Sequence, residues 1–88
     1  MFDFGEAIKA IKNGKKVARK GWNGKGMFIY FVPVGKYAPC TEVAKTLINE
    51  EGLVVYASYI ALNTGKGYVI PWTVSQEDAL SEDWEIVE

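Results

Sequence analysis

The sequence predicts an α+β domain: a mostly antiparallel sheet with an N-terminal helix, a middle helix and a short C-terminal helical turn, all in one unit over residues 1–88. Three patterns predict it. Apolar residues recur at helical spacing near the N-terminus and again in the middle of the chain, and short β-rich runs bounded by Gly, Asn and Pro lie between and after them. A third helix signal, Ser-Gln-Glu-Asp, follows the last proline.

The first element is "DFGEAIKAIKNGKK". Asp3 stands as an N-cap with Glu6 three residues on, Phe4, Ala7, Ile8 and Ile11 share one face, and Asn13-Gly14 supplies the stop. "KVARKGW" alternates as a strand, with Val17 and Arg19 on one face and Lys16, Ala18 and Lys20 on the other. Asn23-Gly24 is the preferred pair for a two-residue hairpin, and "MFIYFV" returns as a strand apolar on both faces, hence central or covered by another subunit. Pro33 and Gly35 end it.

In "PCTEVAKTLINEEG", Val43, Ala44, Leu47 and Ile48 have helical spacing, with Thr41 as cap and Gly52 as stop. "LVVYASYIAL" and "GYVIPW" read as strands joined by "NTGKG", the second ending at Pro71. Ser75 then caps a helical turn in "SQEDAL", and "WEIVE" closes the chain as a strand at the sheet edge.

With 88 residues the chain builds one core, and a compact chain of this length has a radius of gyration of about 12 Å. So small a protomer encloses a dinucleotide-sized ligand poorly by itself, and a large site is expected to be shared between subunits. No histidine is present and only one cysteine, which removes internal disulfides, histidine-based triads and the usual metal clusters. No metal or cofactor is expected. The longest apolar run has six residues and nothing resembles a signal peptide, so the expected location is the cytoplasm, away from any membrane.

A net charge of −1 argues against binding to a DNA or RNA polymer. The charge is unevenly spread, with +5 in residues 1–44 and −6 in residues 45–88. This asymmetry fits a localised basic surface, complementary faces within an oligomer, or two ends that neutralise each other in solvent.

Aromatic residues make up 14% of the chain, enough to supply stacking surfaces beyond a small core. Trp22 lies at a hairpin tip and Trp72 at a strand end, positions where an indole is half covered and can stack on a base or fill a neighbouring subunit; Trp84 lies in a core-like run. Arg19 shares an apolar face, so its guanidinium needs an internal carboxylate, a carbonyl or a ligand phosphate, or must snorkel outward. Asn23, Gly24, Lys25 and Gly26 offer backbone N–H groups and an ammonium at the tip. Ser75 and Gln76 place a hydroxyl and an amide near Trp72, although capping alone accounts for Ser75. The acidic pairs Glu77-Asp78 and Glu82-Asp83 read as a solvated surface.

The combination "GEAIKAIKNGKKVARKGWNGKGMFIYFV" with "GYVIPWTVSQEDALSEDWEIV" resembles a family of small phage proteins, the Thoeris anti-defence proteins of the second type. The resemblance covers residues 4–32 and 65–87 and implies a non-catalytic sponge. Members of that family assemble as homotetramers and sequester cyclic ADP-ribose isomers made by TIR-domain enzymes, and some also hold cyclic dinucleotides at a separate site between subunits. By position, the resemblance implies ligand contacts from Trp22, Asn23, Trp72, Ser75, Gln76 and Asp78, with Arg19 and Lys25 as phosphate partners. Composition also admits an inhibitor that docks on a host enzyme, and it weighs against a nucleotide-degrading enzyme through the lack of histidine.

Overall fold

The computed structural model describes residues 1–22 and 25–88. Helix α1 (Phe4–Lys12) begins where expected, because the Asp3 carboxylate accepts the Glu6 backbone N–H at 2.9 Å. That bond satisfies one of the donors a helix start leaves unpaired. Gly14, at φ +86°, turns the chain away after the Asn13 cap. Ala7 and Ile11 form the buried face.

Among the described residues seven strands follow: β1 (Lys16–Arg19), β2 (Phe28–Val32), β3 (Gly35–Tyr37), β4 (Val54–Tyr56), β5 (Tyr59–Asn63), β6 (Val69–Pro71) and β7 (Trp84–Val87). Five of them make an antiparallel sheet in the order β6-β5-β2-β1-β7. The doubly apolar β2 is its central strand, which accounts for its lack of alternation. Helix α1 lies on one face and closes a core of Ala7, Ile11, Val17, Ile29, Leu62 and Trp84. The α+β architecture with a largely antiparallel sheet is thus the observed one.

Three local expectations are corrected. The Asn23-Gly24 turn itself lies outside the described residues, but β1 ends at Arg19 and β2 begins at Phe28, a connection longer than two residues. Beyond Arg19 the chain leaves β2, because the Lys20 N–H donates to the Asp83 carbonyl at 3.0 Å and the Trp22 N–H to the Arg19 carbonyl at 3.1 Å.

The second correction concerns the middle helix, which is a single 3₁₀ turn, Ala44–Thr46. Thr41 caps it as expected, its Oγ1 accepting the Ala44 N–H at 3.0 Å. Of the four residues at helical spacing only Ala44 is buried; Val43, Leu47 and Ile48 face solvent. A short helix draws its stability from the surface it covers, and here the apolar stripe meets none.

The third is the run "LVVYASYIAL", which divides at Ala57-Ser58 into two strands of different sheets. Its second part, β5, pairs with β2, whereas β4 pairs with β3 in a separate two-stranded ribbon. Strand β3 begins at Gly35, where the sequence suggested only a stop.

Together the ribbon and the 3₁₀ turn form an arm, residues 33–58, that contributes nothing to the main core cluster. The molecule is accordingly drawn out to 45 × 25 × 25 Å with a radius of gyration of 15.5 Å, well above the ~12 Å of a compact chain. Among the described residues no helix is long and apolar enough to cross a membrane.

At the far end from the arm, Ser75 caps helix α2 (Gln76–Leu80), accepting the Asp78 N–H at 3.0 Å. The buried Trp84 ties this helix to the sheet, its Nε1–H donating to the Asp78 carbonyl at 3.0 Å. Helix α2 is thereby held over the end of β1, where Arg19 lies opposite Trp84.

Candidate functional site

The end of β1, the start of its outgoing connection and the first turn of α2 enclose a concavity of about 480 Å³ lined by Arg19, Gly21, Trp22, Ser75, Glu77 and Asp78. Its size falls within the range of small-molecule sites. One wall is aromatic and the other is polar.

The aromatic wall is built from the three tryptophans. Trp22 meets Trp84 edge-on at 5.3 Å between ring centroids and 78° between planes, and lies 6.2 Å from Trp72, which in turn contacts Trp84 at 6.1 Å. Phe4 of α1 backs the group, 5.3 Å from Trp84 and 6.1 Å from Trp72. Trp84 is fully buried, while Trp22 and Trp72 are half-buried against it. Edge-on and tilted contacts of this kind fix ring orientation, so the free part of Trp22 is presented to the concavity as a rigid surface.

The polar wall is organised by Arg19. Its Nε donates to Asp83 Oδ1 at 2.8 Å and its Nη1 to Asp78 Oδ1 at 2.8 Å, with longer contacts of 3.5 Å from Nη2 to Asp83 and from Nη1 to Glu77. The Arg19 and Asp78 side chains are only 16% and 17% exposed, and Asp83 32%, whereas Glu77 at 85% is free to move in solvent. A guanidinium on the apolar face of a strand thus finds internal carboxylates.

Charge on this wall follows from the same bonds. Hydrogen bonds to Asp83 and then Asp78 raise the Arg19 pKa further, keeping the group fully charged. Burial pushes the Asp78 carboxyl up, but donation from Arg19 and Ser75 outweighs it and the net shift is downward. Asp83 is likewise held below the usual carboxylate range, chiefly by the Arg19 hydrogen bond. One cation among three carboxylates leaves the wall with a negative surplus, better suited to accepting hydrogen bonds from hydroxyl or amino groups than to receiving a phosphate.

A profile of the Thoeris anti-defense 2-like domain matches residues 2–87. A curated relative, "Thoeris anti-defense 2" of Bacillus phage SP01, is 38% identical over 85 residues, which cover 96% of this chain and 92% of the relative. The chain belongs to the Thoeris anti-defense 2-like family. The match to the Thoeris anti-defense 2-like domain spans the arm as well as the sheet, so residues 33–58 lie within the domain.

In this Thoeris anti-defense 2-like chain, Arg19, Trp22, Ser75 and Asp78 come together around one concavity. Trp72 does not line it but braces Trp22 and Trp84 from behind. Gln76 is exposed at the first position of α2, beside the lining rather than in it. Lys25 is also exposed and lies against the β5–β6 turn, where a side chain at Gly65 would run into the Lys25 carbonyl. Asn23 lies outside the described residues.

Sequence reasoning missed Gly21, Glu77 and Asp83 as parts of the site. Asp78 and Asp83 belong to acidic pairs read as a solvated surface, yet both are bound to Arg19. The signal that points to them is Arg19 itself, since a cation on an apolar strand face needs a polar partner, and internal carboxylates are one of the kinds that can serve.

Proposed function

We propose that this chain is a phage anti-defence protein that sequesters cyclic ADP-ribose-type signals without cleaving them, and so blocks Thoeris activation in the cytoplasm of an infected bacterium. What carries the reading is the half-buried Trp22 ring set across a concavity from the polar groups of α2, in a chain that belongs to the Thoeris anti-defense 2-like family. Trp22 stacks on the purine, a contact worth about 1–3 kcal/mol. Ser75, Glu77 and the Gln76 amide meet ribose hydroxyls and the base edge.

Arg19 organises Asp78 and Asp83, and the phosphates turn away from that acidic wall toward Lys25, with Asn23 a further ligand contact by the family resemblance. Trp72 keeps the stacking ring in place. A sponge has to bind tightly, and nanomolar affinity corresponds to about −12 kcal/mol, more than one open concavity supplies. Several protomers therefore share each ligand, in a homo-oligomer that the reading takes to be a tetramer. Cyclic dinucleotides are a second ligand class, held at a separate site between subunits.

Two observations support binding without turnover. The chain contains no histidine, and the two least exposed carboxylates of the site, Asp78 and Asp83, are held low by Arg19, which makes them poor proton donors at neutral pH. The test is to incubate purified protein with cyclic ADP-ribose isomers, remove the protein by filtration, and then heat it. Depletion followed by release of the intact molecule is expected. Recovery of an opened or hydrolysed product would show an enzyme, and no depletion would refute ligand binding.

A further inference from the structure

We infer that Lys66, at the tip of the turn between β5 and β6, is a second cation for the pyrophosphate of the bound signal, acting together with Lys25 on the neighbouring connection. The inference rests on the ligand class of the proposed function and adds a binding residue to it.

Backbone packing brings the segments of the two lysines together. The Asn63 Nδ2 donates to the Gly26 carbonyl at 3.1 Å. Gly65, at φ +76°, lies so close to the Lys25 carbonyl that a side chain there would collide with it, and a Cβ on Gly26 would stand 3.9 Å from the Gly65 Cα. Positive φ at Gly26 and Gly65 lets the two chain reversals approach with no side chain between them. Lys66 therefore sits on a tip clasped against Lys25. Lys25 in turn follows Trp22 by three residues, a Cα separation of no more than about 11 Å.

Charge is the second argument. Lys66 is the only cation in residues 46–88, against eight carboxylates. Lys9, Lys36 and Lys45 each pair with a carboxylate, whereas among the described residues Lys66 and Lys25 pair with none. The two connections, residues 20–27 and 64–68, hold three lysines and no acidic residue. Cations gathered without counter-ions repel one another, and an anion between them removes that cost. The wall around Arg19 has the opposite character, with three carboxylates to one guanidinium. A pyrophosphate turned away from that wall finds its complement at the paired tips.

The third argument is the backbone of the turn. Positive φ at Gly65 and Gly67 flanks Lys66, whose φ is not positive, an alternation found in anion-binding nests. The Lys66 N–H donates to the Thr64 Oγ1 at 3.2 Å, and among the described residues the Gly67 N–H meets no protein acceptor. The turn thus offers an exposed ammonium and a backbone donor from adjacent residues.

The test is calorimetry of the full chain against cyclic ADP-ribose isomers, run for the wild type, Lys66→Ala, Lys66→Arg and Lys12→Ala. Lys12 closes α1 at the end far from Phe4 and the tryptophans, so it controls for the loss of one positive charge. Lys66 is exposed, so its replacement leaves the fold intact, which an unchanged Tm checks. At about 50 mM salt Lys66→Ala is expected to raise Kd roughly tenfold, the scale of one charge-assisted hydrogen bond, with Lys66→Arg and Lys12→Ala within about threefold of wild type. At about 500 mM salt, screening is expected to narrow the gap between Lys66→Ala and wild type. Four results overturn this inference while ligand sequestration stands: Lys66→Ala within about threefold of wild type at low salt, a loss matched by Lys12→Ala, a loss that Lys66→Arg shares in full, or one that salt leaves unchanged. A wild type that takes up no isomer overturns the proposed function and this inference together.

Discussion

Replacing Trp84 by Phe tests how helix α2 is held over the site. The indole is fully buried and donates its Nε1–H to the Asp78 carbonyl at 3.0 Å. The Ser81 N–H reaches the same carbonyl at 3.4 Å, so the acceptor keeps one weak partner and the lost hydrogen bond costs about 1 kcal/mol. Exchanging indole for phenyl also withdraws three heavy atoms from a core with no solvent access, a further loss of roughly 1–2 kcal/mol. The total is about 2–3 kcal/mol, which for a domain of this size lowers Tm by roughly 10–20 °C. Trp84→Ala, which also removes support for Phe4, Trp22 and Trp72, is expected to cost about 3–5 kcal/mol or more. Thermal melts followed by circular dichroism at one protomer concentration measure both, the fixed concentration being needed because association shifts Tm. A shift below about 4 °C for Trp84→Phe, near 1 kcal/mol, would refute the account of Trp84 as the tie between α2 and the sheet.

Trp22→Ala is expected to weaken binding of a cyclic ADP-ribose isomer by about 5- to 150-fold in calorimetry, the equivalent of one lost stacking contact, while the protein stays folded. Its Tm also falls, because the ring packs on Trp84 and Trp72. Asp78 and Asp83 have depressed pKa values in the folded state, so their contribution to stability is complete above about pH 4, the ordinary carboxylate value, and is lost as pH falls through the lower folded values. Tm is therefore expected to be level from pH 7 to about pH 5 and to drop below pH 4, with a shallower drop in Asp83→Asn; equal slopes would contradict the Arg19 network. Ser75→Ala removes the α2 cap and is expected to cost about 1 kcal/mol, read as a Tm decrease of 4–8 °C. Gly65→Ala, at φ +76° and facing the Lys25 carbonyl, is expected to destabilise by more than 1 kcal/mol in the same assay.

Short-range signals were sufficient for the elements that use them. Asp3 and Ser75 start α1 and α2 because each cap reaches a backbone N–H only three residues away, a contact the local sequence spells out in full. β6 closes at Pro71, the boundary its local sequence marks, and β2 is central because both of its faces are apolar. Even the burial of Trp84 was legible from its run.

Only the tertiary structure decided the rest. The helical spacing of Val43, Ala44, Leu47 and Ile48 is the same whether or not a surface waits to receive it, and with none there the segment keeps one 3₁₀ turn. Arg19 announced a need for a partner but not whether it would be a carboxylate, a carbonyl or a ligand phosphate, because Asp78 and Asp83 lie 59 and 64 residues away and arrive only when β7 pairs with β1 and α2 docks on Trp84. Likewise, three tryptophans from separate segments become one wall through packing alone. Caps and turns are determined by neighbours within a few residues, whereas a site is determined by which distant surfaces must be buried together.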